Sequence, residues 1–314
     1  MTRTSEFVRR RGRFRAPLFA ALILVLASCN TTDAFNPEGS VDPASVDDLG
    51  GAAAVPVEQP SFATSFAGGI PMGLFHAPYG SLGSTYNGTL RNIYPNNLVE
   101  ELRAIKARGG KVVLNLAGAP SRYKVNGYFS LSKWKASVDR YKNTNFSSFI
   151  TDGTIIGNFL IDEPNNYRRW GKPISASTVE EMARYSKMRW SNMATLVRVR
   201  PDYLNNSHRY LDAAWSQYHS RFGDPAKYIA RDVSIAKNKG LALLTGMNVL
   251  KGNRGSKMTA SQVKSWGGAL LSNSYVCGFV SWTYNSNYLS TSSMKDAMKY
   301  LRNKAQSRSS KSCR

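Results

Sequence analysis

The sequence predicts an α/β fold, a (β/α)8 TIM-type barrel, from residue 70 to the end of the chain. Apolar runs alternate there with amphipathic helical segments, a pattern that indicates a parallel sheet. The stretch 70–314 has the length that eight βα units require. An open doubly wound sheet is the alternative. The sequence shows no glycine-rich nucleotide-binding motif and no internal repeat.

The strand candidates are apolar runs bounded by polar or glycine-rich segments. They lie at 70–76, 111–117, 155–162, 194–200, 211–217, 241–248 and 276–284. These are seven strands, and the eighth is expected either between 118 and 155 or within 60–69. Counting back from the last run as the eighth strand, 155–162 becomes the fourth.

The helix candidates lie between these runs. They span 96–108, 130–142, 176–191, 224–239, 259–271 and 292–306. Three of them begin with residues that favour helix N-termini, namely Ser177 or Thr178, Asp224 and Thr259. Gly109-Gly110 and Gly240 are predicted to end two helices.

The first 28 residues have the features of a signal peptide. Arginines at positions 9–15 precede the apolar run Leu18–Ala27, which is too short to span a bilayer. This run ends in Leu26-Ala27-Ser28-Cys29, which resembles a bacterial lipobox and implies lipidation of Cys29. We expect an acidic flexible tether at 29–69, a barrel domain at 70–314, and an exported protein anchored to the cell envelope, at the outer membrane or cell surface rather than in the cytoplasm. An ordinary signal peptide with an incidental cysteine is the alternative.

The chain is strongly basic, with 42 Lys and Arg against 20 Asp and Glu, a formal net charge of +22. Such a charge attracts polyanions, including nucleic acid, anionic lipid and acidic polysaccharide, although a solvated basic surface without a ligand is equally compatible. Cys277 and Cys313 can pair in an exported protein, but their spacing does not require it. The Cys and His spacings fit no metal site, so neither a metal nor a cofactor is expected.

The most informative segment is Gly157–Pro173. Its apolar run ends abruptly in Asp162 and Glu163, and Pro164 ends the strand because it has no N–H for a ladder. Barrel enzymes build their sites from side chains at such strand ends. On a regular strand, adjacent residues point to opposite faces, so either one carboxylate reaches the mouth or the chain turns and both do.

The other predicted strand ends supply polar and aromatic side chains. They are His76 and Tyr79, Asn115, Asn158, Arg198, Arg200 and Asp202, Trp215, Gln217, Tyr218 and His219, Asn248, and Trp282 and Tyr284. Amide and charged groups next to flat aromatic rings suit a sugar, whose hydroxyls need polar partners and whose C–H faces pack on aromatic rings. Of these, the residues expected to bind substrate are His76, Tyr79, Asn115, Asn158, Arg198, Arg200, Trp215, Tyr218, Asn248, Trp282 and Tyr284.

The strand-end Asp162-Glu163-Pro164 and the final strand Phe279–Asn285, together with the alternating pattern, resemble the TIM-barrel glycoside hydrolases. The resemblance implies that Glu163, after the fourth strand, is the general acid/base. This chain departs from the family pattern at the seventh strand, where Met247 and Asn248 stand in place of a nucleophilic acid. Because glycoside hydrolysis ordinarily uses two carboxylates, Asp162 or Asp202 is the expected partner.

Asp162 also has a structural interpretation, a salt bridge to Arg198 or Arg200 on the next strand. If either arginine faces the cavity unpaired, it can instead bind a carboxylate or sulfate of the substrate.

Two functions follow from this sequence-level reasoning. The first is a glycoside hydrolase acting on a cell-envelope or extracellular polysaccharide, for which the basic charge favours an anionic one. The second is a non-catalytic carbohydrate-binding lipoprotein on the same scaffold, which the missing seventh-strand acid favours. The export signal argues against nucleic acid as the partner.

Overall fold

The computed structural model describes residues 68–314, which form a closed barrel of eight parallel strands. The barrel strands are β1 Met72–Phe75, β2 Gly88–Arg91, β3 Lys111–Leu114, β4 Ile155–Asp162, β5 Thr195–Arg198, β6 Ala213–Tyr218, β7 Ala242–Met247 and β8 Val276–Ser281. Each strand pairs with the next along the chain, and β8 pairs with β1. The predicted (β/α)8 barrel is confirmed, and the open sheet is excluded.

The strand that the sequence left unplaced is β2, at Gly88–Arg91. Its four residues, GTLR, are too short and too polar to stand out as an apolar run. Between 118 and 155, one of the expected places, the structure instead has helices and a two-stranded hairpin of Lys124–Val125 and Tyr128–Phe129; residues 60–67 lie outside the described residues. A Cβ at Gly73 would lie only 1.8 Å from the Gly88 carbonyl oxygen, so the close approach of β1 to β2 requires glycine.

The six predicted helices are all present. They are α1 Leu98–Ala107, α2 Leu131–Asp139, α5 Ala176–Arg189, α6 Pro225–Asn238, α7 Ala260–Leu271 and α9 Ser292–Gln306, and the short helices are α3 Ser147–Thr151, α4 Tyr167–Trp170 and α8 Ser286–Leu289. Asp224 and Thr259 cap their helices as predicted. Helix α5 is capped by Ser175 rather than by Ser177 or Thr178, because the Ser175 hydroxyl accepts from the Thr178 N–H. Between residues 68 and 314, no helix is both long and apolar enough to span a membrane.

Two apolar layers stabilise the barrel. The outer layer packs the strands against the helices, with Trp134, Met182 and Leu270 among its fully buried side chains. The inner layer fills the barrel and includes Phe75, Val113, Phe159, Trp215, Leu244 and Cys277. Cys277 forms a disulfide with Cys313, whose side chain belongs to the same inner layer. Because Cys277 lies near the start of β8, the C-terminal tail is held at the barrel end opposite the mouth, and the pairing that the sequence left open is present.

Removing this disulfide is expected to destabilise the fold substantially. The bond joins cysteines 36 residues apart, and closing a loop of that size in the unfolded chain contributes about 4 kcal/mol. The double variant Cys277→Ala/Cys313→Ala should lose about that much free energy of unfolding in urea denaturation. Wild type in reducing agent is the control and should shift in the same direction. A double variant as stable as oxidised wild type would contradict the prediction.

Candidate active site

The end of β4 departs from a regular strand, and this brings both carboxylates into the barrel mouth. Phe159 pairs with Leu196 and Asp162 pairs with Arg198, so β4 carries one more residue than β5 over this stretch. Phe159 belongs to the inner layer, Leu160 and Ile161 both belong to the outer layer, and Asp162 turns back inward. Such a bulge reverses the alternation of faces.

Glu163 then adopts φ 44°, a left-handed conformation that is uncommon outside glycine. Its backbone N–H donates to the Arg198 carbonyl oxygen at 2.8 Å. As a result, both neighbouring carboxylates contact the Arg198 guanidinium, Asp162 by a hydrogen bond and Glu163 at 3.7 Å. Of the two arrangements that the sequence allowed, the chain adopts the one in which both acids reach the mouth.

The indole of Trp170 holds this turn in place by hydrogen bonds to its backbone. Its Nε1–H donates to the carbonyl oxygens of Asp162 at 2.9 Å and Glu163 at 3.0 Å. The ring is fully buried and stacks on Tyr123 with centroids 5.8 Å apart. The loop therefore folds back onto the strand that it leaves, which fixes the Glu163 backbone.

The variant Trp170→Phe tests this support. The substitution keeps an aromatic ring but leaves two carbonyl oxygens without their donor, which should cost about 1–2 kcal/mol. Urea denaturation should show this loss, whereas Trp190→Phe, at a tryptophan that packs on Phe146 away from the mouth, should change stability less. Equal effects of the two substitutions would argue against a specific role for the Trp170 N–H.

Asp162 is held by two arginines. Arg198 and Arg169 each donate to a different oxygen of its carboxylate, and its side chain is 14% exposed. Arg198 is itself buried and also donates to Gln217 Oε1 at 2.7 Å. Arg200 instead pairs with the buried Asp232 of α6. The salt bridge foreseen for Asp162 is therefore present, and its partners are Arg198 and Arg169 rather than Arg200.

Glu163 is the more open of the two acids. Its side chain is 38% exposed, and Asn166 Nδ2 donates to its Oε2 at 3.1 Å. It faces a cleft of about 550 Å³. The other side chains that line this cleft are Asn165, Arg198, Val199, Arg200, Asp202, Tyr203, Trp215, Gln217, His219, Arg221 and Phe222.

Asp202 is the other acid of this cleft among residues 68–314. Its carboxylate lies 3.0 Å from an Arg200 nitrogen, and Arg200 lies 3.0 Å from Asp232. Burial raises the pKa of Asp232, and its hydrogen bonds with Arg200 oppose that rise. Arg200 is thus fixed between two carboxylates and holds Asp202 at the cleft edge.

The floor of the mouth is aromatic. The Phe75 ring lies 4.8 Å from Trp215 and 5.3 Å from Trp282, with Arg198 5.9 Å from the Trp282 ring. Trp215 Nε1 and Gln217 Nε2 are buried and have no hydrogen-bond acceptor within the described protein. Because neither atom is exposed, the partner that would satisfy it is a buried water.

The remaining predicted residues lie elsewhere around the mouth or away from it. His76, Tyr79, Asn115, Asn248 and Tyr284 follow the ends of β1, β3, β7 and β8. Arg91 stacks on the Tyr79 ring at 4.0 Å, and Asn115 Nδ2 donates to the Gly118 carbonyl oxygen. Asn158 instead faces α5, where it donates to Ser186 Oγ at 3.1 Å, and Tyr218 packs against Tyr228 and Trp266. Neither Asn158 nor Tyr218 lines the cleft.

Sequence reasoning missed Arg221 and Phe222, which line the cleft from the turn Ser220–Phe222 after β6. Extending the sixth strand end by a few residues would have included both. Among residues 68–314, no group of three or more His, Cys, Asp or Glu side chains could hold a metal ion.

Two histidines at the mouth are expected to make stability depend on pH. Burial, and secondarily Arg91, lowers the pKa of His76; burial and Arg221 lower that of His219, against the opposing charge of Glu163. Below about pH 6.5 the unfolded chain therefore binds more protons than the folded protein. The free energy of unfolding should fall between pH 7.5 and 5.5 in urea titrations, and His219→Gln should flatten the profile. An unchanged profile in the variant would exclude His219 as a contributor.

Solved structures resemble this chain in fold, although no sequence match is found. No family model matches the chain, and no curated protein matches its sequence. A candidate glycoside hydrolase from Parabacteroides distasonis aligns with a TM-score of 0.53 at 12% identity, over 78% of this chain and 95% of that one. The β-glucanase SdGluc5_26A from Saccharophagus degradans aligns with a TM-score of 0.51 at 11% identity, over 76% and 88% of the two chains.

An exo-β-1,4-mannosidase from Opitutaceae bacterium strain TAV5 aligns with a TM-score of 0.50 at 12% identity, over 76% of this chain and 60% of that one. These likenesses confirm the resemblance to TIM-barrel glycoside hydrolases at the level of the fold. The seventh strand of this chain ends at Met247 and is followed by Asn248, so the missing acid stands as a departure from the expected pattern.

Proposed function

We propose that the protein is a glycoside hydrolase acting on a cell-envelope or extracellular polysaccharide, with Glu163 as general acid/base. The observation that carries the proposal is the placement of Glu163. It ends the fourth barrel strand, faces an open cleft, and has one oxygen held by Asn166 and the other 3.7 Å from Arg198. A general acid must lie within hydrogen-bond reach of the oxygen that it protonates, and this placement leaves Glu163 open to a substrate in the cleft.

The surroundings of Glu163 suit a sugar. The partly exposed Trp282 ring meets the buried Phe75 ring edge-on, with centroids 5.3 Å apart, and offers an apolar surface to pyranose C–H groups. Asn165, His219 and Arg221 line the cleft with exposed or partly exposed polar groups that can meet substrate hydroxyls. A site of this kind recognises a ring with an apolar face and a polar edge.

Asp202 is the proposed second carboxylate. It lines the same cleft as Glu163 and its side chain is 49% exposed, whereas Asp162 is engaged by two arginines. Water activated by Asp202, or attack by its carboxylate, would complete the two-acid chemistry. Asp202→Asn should abolish reducing-end release while leaving glycan binding in place.

The second candidate is a non-catalytic carbohydrate-binding protein. It is favoured by the absence of an acid after β7 and by the ion pairs that occupy Asp162. Reducing-end release from a panel of neutral and anionic polysaccharides separates the two. Release by the full-length protein supports the hydrolase, whereas saturable glycan binding without any release supports the binding protein.

Export and lipidation at Cys29 remain part of the proposal. The Cys277–Cys313 disulfide supports export, because such bonds persist in oxidising compartments. Radiolabelled palmitate should label the wild type in cells but not Cys29→Ala, and that variant should leave the membrane fraction. Unlabelled, membrane-free wild type would refute the anchor.

A further inference from the structure

The large exposed apolar side chains of residues 68–314 are concentrated at the barrel mouth. Six are exposed, namely Tyr94 at 59%, Val125 at 42%, Tyr128 at 51%, Tyr167 at 59%, Met188 at 65% and Tyr300 at 38%. The first four lie on the loops that follow β2, β3 and β4. Exposed aromatic groups gathered on one face indicate an interaction site.

These three loops form one continuous surface. Trp170, on the loop after β4, stacks on Tyr123 and contacts Phe129 of the hairpin at 6.0 Å. From the segment before the hairpin, the Arg122 guanidinium reaches to 5.8 Å from the Tyr94 ring. The surface is therefore contiguous from the loop after β2 to the loop that carries Glu163.

Apart from Glu163 at its cleft end, this surface carries only positive charge. Segments 92–97, 115–130 and 164–173 contain no Asp or Glu, yet they hold Arg122, Lys124, Arg168, Arg169 and Lys172. Arg169 pairs with Asp162. The other four make no ion pair with a described carboxylate. Their charges are available to a ligand, and we name the surface formed by Tyr94, Arg122, Lys124, Tyr128, Tyr167 and Arg168 the basic aromatic rim.

We infer that the basic aromatic rim binds a stretch of an anionic polysaccharide beyond the sugars that occupy the cleft. Exposed tyrosine rings provide flat faces for pyranose C–H groups, and guanidinium groups pair with carboxylate or sulfate oxygens. The rim continues into the cleft through the loop that carries Glu163, so a long chain can occupy both. That the bound chain is also the substrate rests on the proposed function, whereas binding itself does not.

The test measures binding by full-length Glu163→Gln protein, which should not consume its ligand. Gels containing polygalacturonate or alginate should retard the migration of this protein, whereas gels containing neutral dextran should retard it much less. Adding Tyr94→Ala and Tyr167→Ala should weaken binding about tenfold, a loss typical of removing aromatic contacts. Tyr300→Ala is the matched control because Tyr300 is also exposed and also lies beside a cation, with Lys264 Nζ 5.1 Å from its ring centroid.

The charged part of the rim is tested separately. Arg122→Gln combined with Arg168→Gln should weaken polygalacturonate binding and flatten its dependence on salt between 50 and 300 mM, as expected when exposed ion pairs are lost. Removal of two cations from α9, by Lys295→Gln and Lys299→Gln, should have a smaller effect.

Several outcomes would overturn the inference. The first is that neither anionic glycan retards the protein. The second is that the tyrosine variants bind as Tyr300→Ala does. The third is that the protein binds single-stranded DNA more tightly than polygalacturonate through the same rim residues. Rim-dependent glycan binding without any reducing-end release would instead refute the proposed hydrolysis and leave the rim assignment standing. If reducing ends are released at the same rate by wild type and by the rim variants, the rim assignment is refuted and the proposed hydrolysis stands.

Discussion

Glu163→Gln is expected to lower hydrolysis of the polysaccharide substrate by at least about 100-fold, the usual contribution of a positioned general acid. The amide fills the same volume and can still bond to Asn166, so the loop geometry should persist. What is lost is the proton for the leaving sugar oxygen. Initial rates of reducing-end release, compared at saturating substrate, measure the effect.

A substrate that needs no proton provides the control. In aryl glycosides with strongly acidic phenols, the phenolate leaves without being protonated. On these substrates the variant should therefore retain much more of the wild-type rate than it does on the polysaccharide. Equal losses on both substrates would assign Glu163 a structural role. A fully active variant would remove it from the mechanism.

Asp162→Asn is expected to have the largest effect on stability among single substitutions at the mouth. Arg198 is buried, and burial lowers its pKa while Glu163 opposes that shift. Asp162 is its hydrogen-bonded carboxylate, and the loss of one partner of a buried pair costs about 3 kcal/mol. Urea denaturation of the variant at pH 7 should show a loss of that size.

The matched control is Asp139→Asn. Asp139 pairs with Arg189 at 2.9 Å, but both side chains are about one-third exposed, so its loss should cost less than about 1 kcal/mol. Asp162→Asn combined with Arg198→Met should recover part of the stability, because it removes a buried guanidinium whose remaining carboxylate partner is the more exposed Glu163, 3.7 Å away. If the two single substitutions lose the same free energy of unfolding, the Asp162–Arg198 pair stabilises the fold no more than an exposed ion pair does.

The strands and helices that the sequence predicted are those with long apolar or amphipathic patterns. Strand β2 lacks this signal because Gly88 and Arg91 occupy half of its four positions. Its identity depends on close backbone contact with β1 at Gly73, which is a tertiary property. No local pattern in GTLR distinguishes it from a loop.

The candidate site was predictable to the extent that strand alternation holds. Trp215 and Gln217 share a face of β6, and the same rule puts Tyr218 on the opposite face, where it contacts the helices. The alternation fails at β4, because Leu160 and Ile161 both enter the outer layer and Asp162 turns inward. Two consecutive aliphatic residues give no sign of a bulge, so the joint placement of Asp162 and Glu163 required the structure.

The most direct test of the account uses one glycan that full-length Glu163→Gln retains in an affinity gel. Reducing ends released from that glycan are then measured over time for wild type and variant together. We predict steady release by the wild type and a rate at least about 100-fold lower for the variant. Binding by both forms with release by neither would contradict hydrolysis at Glu163 and identify the barrel as a carbohydrate-binding protein.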